Sequence, residues 1–271
     1  RWVVGRGSGW PGSILTCAEP EKGAAVAHKS ALVNVMIGAA LKAARSLTRD
    51  FGEVEKLQVS KKGPADFVSA ADRRAEQVVL AELRRARPNF CCLSEEAGEI
   101  AGPDTSNRWI VDPLDGTTNF LHGLPHFAIS IALERDRELV AGVVYDPLRD
   151  EMFWAERGQG AHLNDYRLRV SARHRLDQAV LATGIPHQGR QGQDECLAEM
   201  HQLLPRIAGL RRFGAASLDL AYVAAGRYEG FWERGLEAWD MAAGIVLVRE
   251  AGGLVSDLEG AARMLEKGGV V

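Results

Sequence analysis

Residues 109–120 read WIVDPLDGTTNF, an apolar run that ends in two carboxylates, Asp112 and Asp115, before Gly-Thr-Thr opens a new element. Residues 108–111 have the pattern of a strand, which delivers Asp112 to its C-terminal end. Pro113 keeps Asp112 out of helical geometry and stiffens the turn. Gly116, Thr117 and Thr118 then offer unblocked backbone N–H groups and hydroxyls, so acids suited to hard cations stand beside donors suited to a phosphate. Taken alone the stretch has a second reading, an ordinary turn in which Asp115 caps a helix.

Two further segments bear on the choice. Residues 93–99 (LSEEAGE) follow a strand-like run at 89–93 and place Glu95 and Glu96 at its end. Residues 237–253 (EAWDMAAGIVLVREAGG) put Asp240 at the start of an apolar helix that Gly252-Gly253 stops, and by itself Asp240 reads most simply as that helix's N-cap. If Glu95, Asp112, Asp115 and Asp240 converge, each close pair costs on the order of 4 kcal/mol at an effective dielectric of about 20. Three such pairs rival the roughly 5–15 kcal/mol that holds a domain together. Convergence therefore requires bound cations, and an all-oxygen ligand set points to Mg²⁺, Mn²⁺ or Ca²⁺ rather than zinc.

On these residues the chain resembles the inositol monophosphatase family, in its bacterial extragenic-suppressor branch. The resemblance rests on the Glu-Glu segment at Glu95, the motif at 112–119 and Trp239-Asp240, in that order. LPHFAISIAL at 124–133, VVYDP at 143–147 and LDLAYVAAGRYEGFWERGL at 218–236 extend it, so that it covers residue 31 to the C-terminus. It implies an α+β protein built as a layered α-β-α-β-α sandwich, and Mg²⁺-dependent, Li⁺-sensitive hydrolysis of a phosphate monoester with two to three Mg²⁺ ions. Residue by residue, Glu95, Asp112 and the carbonyl of Leu114 match the ligands of a first metal. Asp112, Asp115 and Asp240 match those of a second, and Glu95 also lies near a weaker third. Thr117 and Asp72 match a pair that orients the attacking water, and Lys61 a loop lysine near the phosphate. Gly116 and Thr117 match N–H donors to the phosphate, and Glu233 with Gly214-Ala215-Ala216 match contacts to substrate hydroxyls. Asp115 and Asp240 border the same substrate space.

The chemistry is coherent on its own terms. A phosphate monoester dianion repels hydroxide, so neutralising its oxygens with divalent ions is the main catalytic device. No Ser, Cys or His stands in a recognisable triad arrangement, and the family precedent is direct attack by water. His122 and His126 flank Pro125 beside the motif, but hard-cation sites seldom use imidazole, so both are read as structural. Trp239 is read as packing that fixes Asp240. Thr118-Asn119 stands where nucleotidase and histidinol-phosphatase relatives often carry Lys, which favours myo-inositol-1-phosphate as substrate. Fructose-1,6-bisphosphate and other sugar or nucleotide phosphates remain alternatives. The branch also implies a homodimer and, as a different class of role, partnership with the transcription antitermination machinery, for which Arg206, Arg211 and Arg212 offer a basic contact.

With 271 residues, 46% of them hydrophobic, the chain can bury a large core. A formal charge of −3 and the absence of a dense Lys/Arg block argue against strong direct nucleic-acid binding, and no apolar run is long enough to span a membrane. The four cysteines lack zinc or disulfide-framework spacing, so they are expected to be reduced, in a cytoplasmic protein. Residues 1–29 begin without Met and show no period, and are expected to be disordered or a non-native extension. Residues 30–271 are expected to form one phosphatase domain of two halves, 30–165 and 166–271, with the C-terminal strand and helix truncated. Periodicity predicts helices from Ser30, from Asp72 (read as its N-cap) to 86, and at 195–204 and 217–225. It predicts strands at 127–133, 139–145, 151–155, 158–163, 180–183 and 230–232, with 61–65 as a loop and 67–70 extended.

Overall fold

The computed structural model describes residues 29–53, 70–187 and 190–271 together with the strand backbones at 2–5, 14–17, 59–63 and 66–69. The chain begins with β1 (Trp2–Gly5) and β2 (Ile14–Cys17), two short apolar runs that pair antiparallel within the segment expected to be disordered. Helix α1 (Ala31–Phe51) starts where the sequence indicates, with Ser30 Oγ accepting from Val33 N at 3.2 Å. Next come β3 (Val59–Gly63), β4 (Asp66–Ser69) and α2 (Ala70–Ala86), then β5 (Phe90–Ser94), β6 (Gly98–Ile100) and β7 (Asp104–Asp115). After the short α3 (Thr117–Leu121) run β8 (Ala128–Arg135), β9 (Glu138–Asp146), β10 (Glu151–Glu156), β11 (Gly160–Leu163) and β12 (Tyr166–Arg167). The second half holds β13 (Val180–Thr183), α4 (Gln193–Leu203), β14 (Gly209–Arg211), α5 (Ala216–Ala224) and β15 (Gly230–Arg234). It closes with α6 (Ala238–Glu250), α7 (Met264–Lys267) and β16 (Gly269–Val270).

Eight strands form one sheet in the order β12-β11-β10-β9-β8-β7-β5-β6, antiparallel except where β5 runs parallel to β7. A four-stranded sheet has the order β14-β13-β15-β16, with β13 parallel to both β14 and β15. Period-2 alternation sends the large sheet's side chains to two cores. Trp109, Val111, Ile129, Ile131, Val143 and Trp154 pack against the alanine-rich faces of α1 and α2. Ile110, Ala128, Ala132, Val144 and Phe153 face the other way, onto α5 and α6, where Ala182, Phe231 and Val270 of the small sheet also meet. On the far side of the small sheet, Glu199 of α4 accepts from Trp232 Nε1 at 3.0 Å. The result is the layered α-β-α-β-α sandwich of an α+β protein.

The close layering depends on two glycines. A Cβ at Gly142 of β9 would lie 2.6 Å from Ala243 O, and one at Gly244 of α6 would lie 2.4 Å from Leu220 Cβ of α5. Both absences let α6 sit flush between sheet and helix, and α6 carries Asp240.

Several sequence expectations are corrected. Strand β7 has twelve residues rather than the four at 108–111 and runs through Pro113. The register shift between Asp112 and Asp115 falls where the proline's missing N–H costs no ladder bond. Asp72 is not the N-cap of α2, which begins two residues earlier, but lies inside its first turn. Lys61 belongs to strand β3 rather than to a loop, and its side chain lies outside the described residues. Asp240 is the third residue of α6 rather than its cap, which is Glu237.

Candidate metal and phosphate site

The motif at 109–120 crosses the end of the large sheet. Asp112 and Asp115 lie at the C-terminal end of β7, 2% and 8% exposed. Asp112 Oδ1 accepts from Leu114 N at 2.9 Å, an Asx turn that turns the Leu114 carbonyl toward α3, where Thr117 Oγ1 donates to it at 2.9 Å. Thr117 Oγ1 is also 3.5 Å from Asp72 Oδ2, so the pair implied by the sequence is brought together. Gly116 holds a φ of +90°, and a Cβ there would lie 3.0 Å from His126 O. Only glycine suits both the left-handed backbone and the space.

The other acids come from distant segments. Glu95 opens the turn between β5 and β6, its N–H donating to Val111 O at 3.2 Å, which ties it to the strand that carries Asp112. Carboxylate oxygens of Asp72, Glu95 and Glu96 lie within 4.8 Å of one another. Asp240 enters from α6, and its Oδ2 accepts from Glu237 N at 2.7 Å. Ser130, opposite Asp112 in the β7–β8 register, donates from Oγ to Trp239 O at 3.2 Å and so docks the start of α6 against the motif strand.

The acids also lie close enough to raise one another's carboxyls. Removal from water raises the Asp112 carboxyl well above the usual carboxylate range, and Glu95, Asp115, Asp240 and Asp72 each push it further. Asp240 is raised in the same way, by desolvation first and then by Asp115, with Glu95 and Glu233 adding to it. Asp115 is pushed up to about 6 by burial, held there against hydrogen bonds from Ser217, Ala216 and Leu218 that pull it down. Five acids from four chain segments, Asp72, Glu95, Asp112 with Asp115, and Asp240, thus crowd one another. Their donors are all oxygen, which suits a hard divalent cation better than a softer metal.

The residues expected to contact substrate hydroxyls border this cluster. Gly214 has a φ of +79° and leads through Ala215 into α5, whose first residue is Ala216. Glu233 stands at the end of β15, pushed up to about 7 by desolvation and then by Asp115, with Arg190 and Arg212 opposing. His126 is buried, its ring 4.9 Å from that of Phe213, in keeping with a structural role, and His122 ends α3.

Sequence reasoning missed four supporting residues. Glu76 of α2 accepts from Ser94 Oγ at 2.5 Å, Glu96 N at 3.1 Å and Ala97 N at 2.9 Å, and so holds the Glu95-Glu96 turn. Its signal was available, since a buried acid one turn after Asp72 on an amphipathic helix needs partners. Ser217 and Ser130 secure Asp115 and α6. Asn119 Nδ2 donates to His126 O and Phe213 O, both at 2.8 Å, which joins the motif to the 214–216 turn. Ser217 and Ser130 have no local sequence signature, and the motif that holds Asn119 gives no sign of its contact with Phe213.

A model of the inositol monophosphatase family matches residues 28–271. The chain belongs to the inositol monophosphatase family. It is 60% identical over 243 residues to the inositol-1-monophosphatase of Rhizobium meliloti (strain 1021), covering 90% of this chain and 91% of that one. It is 45% identical over 240 residues to the Nus factor SuhB of Escherichia coli (strain K12), covering 89% and 90%. The crystal structure of extragenic suppressor protein suhB from Bartonella henselae superposes with a TM-score of 0.87 at 59% identity, covering 89% of this chain and 93% of that one. This member of the family thus carries its phosphatase motifs on the sandwich that its solved relatives share. Among the described residues no helix is long and apolar enough to cross a membrane. Cys91, Cys92 and Cys196 are free thiols, and burial pushes Cys92 up to about 12, an inert rather than a reactive state.

Proposed function

We propose that the chain hydrolyses a phosphate monoester, myo-inositol-1-phosphate to inositol and phosphate, in the cytoplasm and with Mg²⁺ as cofactor. The observation that carries this reading is the crowding of acids about the buried Asp112, whose carboxyl Glu95, Asp115 and Asp240 all raise, with oxygens of Asp72 and Glu95 within 4.8 Å of each other. The residues present fit the cation. Glu95, Asp112 and the Leu114 carbonyl would hold one Mg²⁺, Asp112, Asp115 and Asp240 a second, and Glu95 would border a third. When bound, these ions neutralise phosphate oxygens, lower the pKa of water and stabilise the leaving alkoxide.

The chain's own groups do the remaining work. Thr117 Oγ1, donating to Leu114 O at 2.9 Å, has its oxygen free to accept from a water, and the Asp72 carboxylate beside it takes up that water's proton. The N–H groups of Gly116 and Thr117, at the start of α3, would donate to the phosphate oxygens. Lys61, on β3, is the lysine that the family resemblance puts near the phosphate. Glu233 and the 214–216 turn receive the hydroxyls of the leaving alcohol. Lithium inhibition follows from competition for a site built for a small hard cation.

The 60% identity to a relative named inositol-1-monophosphatase supports this substrate over fructose 1,6-bisphosphate or a nucleotide. Phosphate release from inositol 1-phosphate, fructose 1,6-bisphosphate and 3′-phosphoadenosine 5′-phosphate, with Mg²⁺ and with or without Li⁺, tests it. Li⁺-sensitive preference for the inositol ester is expected, and preference for either other ester would reassign the substrate.

A second reading has its own support in the similarity to a relative named as a Nus factor. In that role the chain, as a homodimer, binds the antitermination machinery independently of turnover, through a surface that includes the exposed Arg206, Arg211 and Arg212. Replacing Asp112 with Asn in the organism separates the roles, because only the catalytic one is lost.

A further inference from the structure

Gly184 follows β13 directly, beside the end of β15. In the parallel register Thr183 stands opposite Trp232, and Thr183 Oγ1 donates to Trp232 O at 2.8 Å, so the next residues along, Gly184 and Glu233, lie side by side at the C-terminal ends of paired strands. Ligands of parallel α/β layers collect at such strand ends. A Cβ built on Gly184 would fall 1.8 Å from Glu233 Cδ and 1.9 and 2.2 Å from its two carboxylate oxygens. The Glu233 carboxyl therefore fills the volume that any side chain at 184 would take.

The surroundings leave this carboxyl little choice of position. Behind Gly184, its carbonyl accepts from Cys196 Sγ of α4 at 3.6 Å, so the backbone is held from the far side. Beside Glu233 lies Asp219 of α5, 1% exposed, whose Oδ1 has no hydrogen-bond partner among the described residues. Burial, Glu233 and Asp115 all raise the Asp219 carboxyl, with Arg212 opposing, so a second acid occupies the same corner. Gly184 has no left-handed backbone to preserve. Its lack of a side chain is explained by the carboxyl lying on it.

We propose that Gly184 is a specificity-determining position of this site: the space left by its missing side chain seats the Glu233 carboxyl where it receives hydroxyl hydrogen bonds from a polyol leaving group. Gly184 acts through Glu233 and touches no reacting atom, so it is a positioning residue. The inference rests on the phosphatase reading above and deepens it, since it says what selects the alcohol rather than the phosphate.

The test is Gly184→Ala in the full chain, measured with inositol 1-phosphate as substrate and inorganic phosphate as a competitive inhibitor that lacks the alcohol. The added methyl meets the far end of a flexible side chain, so the thermal midpoint should hold while KM for inositol 1-phosphate rises about ten-fold, the loss of a charge-assisted hydrogen bond. The inhibition constant of phosphate should stay within about two-fold, because only the alcohol side is altered. In a Glu233→Ala background, Gly184→Ala should add nothing further, since one carboxyl carries both effects. An unchanged KM, an effect additive with Glu233→Ala, or a lowered midpoint with equal loss for substrate and phosphate would overturn the proposal. A wild-type chain without turnover would refute the phosphatase reading itself, whereas a Gly184→Ala chain with wild-type KM refutes only this inference.

Discussion

Ser217 gives both of its donors to one oxygen of Asp115, the backbone N–H at 2.8 Å and the hydroxyl at 2.5 Å. Asp115 is thereby aimed from the large sheet at the N-terminus of α5, and one of its oxygens is committed to that helix. The helix end favours negative charge there, which offsets part of the repulsion from Asp112 and Asp240.

Removing the hydroxyl alone should loosen this aim without dissolving the fold. Ser217→Ala keeps the backbone donor, so the Mg²⁺ concentration for half-maximal activity should rise roughly ten-fold, the usual scale for losing a group that orients a metal ligand. A Mg²⁺ titration of initial rate reads this, and an unchanged midpoint would show that the hydroxyl contributes nothing to the site.

Charge crowding of Asp112 should make the metal-free fold less stable than it could be. Asp112→Asn removes one of the mutually repelling carboxylates and keeps an acceptor for Leu114 N. In EDTA at neutral pH the variant should be more stable than wild type by about 1–3 kcal/mol. Mg²⁺ should raise the wild-type thermal midpoint and move the variant's little. Thermal unfolding with and without Mg²⁺ checks both signs, and an Asn variant that is less stable in EDTA would mean that the acids are not crowded.

His126 sets a pH dependence of the opposite origin. Burial, and then Arg149, lower its pKa from 6.5 to about 4, with Asp146 pulling the other way. Between those values the unfolded chain holds a proton that the folded chain lacks. Its contribution to stability is therefore complete above about pH 6.5 and is lost as pH falls toward 4, by about 3 kcal/mol in all. His126→Phe can keep the packing against Phe213 and Tyr222. Urea titrations between pH 4 and 7 should find the difference between the two chains shrinking as pH rises, and a constant difference would refute a neutral buried imidazole.

Gly142 links fold to site. An added methyl would press on Ala243 O and Cα, at 2.6 and 2.9 Å, and push α6 off the sheet. Gly142→Ala should cost about 1–3 kcal/mol, the scale of overpacking a tight core. It should also weaken Mg²⁺ binding, because Asp240 rides on α6. Chemical denaturation together with a Mg²⁺ titration tests the pair, and loss of stability with an unaltered Mg²⁺ requirement would separate α6 from the site.

What could be read from the sequence followed local rules. Ser30 capping α1, the paired β8 and β9 about their charged turn, and the Asp-Pro-Leu-Asp-Gly-Thr run all carry their signals within a few residues. Misreadings arose where a local rule met a longer-range contact. Asp72 and Asp240 both suit an N-cap, yet each lies inside its helix, because the turns before them are set by β4 and by Glu237. Contacts such as Glu76 with Ser94, Asn119 with Phe213 and Asp115 with Ser217 join residues 18, 94 and 102 positions apart. No periodicity encodes such pairings. The Gly184–Glu233 packing was invisible for the same reason, since it exists only once β13 and β15 lie in parallel register.

The most direct measurement is Mg²⁺-dependent phosphate release from inositol 1-phosphate by wild type, Asp112→Asn and Asp240→Asn, with each chain shown to be folded by circular dichroism. If the four converging carboxylates form one cation-holding catalytic site, wild type turns over only with the metal, and each variant loses at least on the order of a hundred-fold in kcat/KM. Turnover that persists in EDTA, or a folded Asp112→Asn chain that keeps wild-type activity, would contradict it.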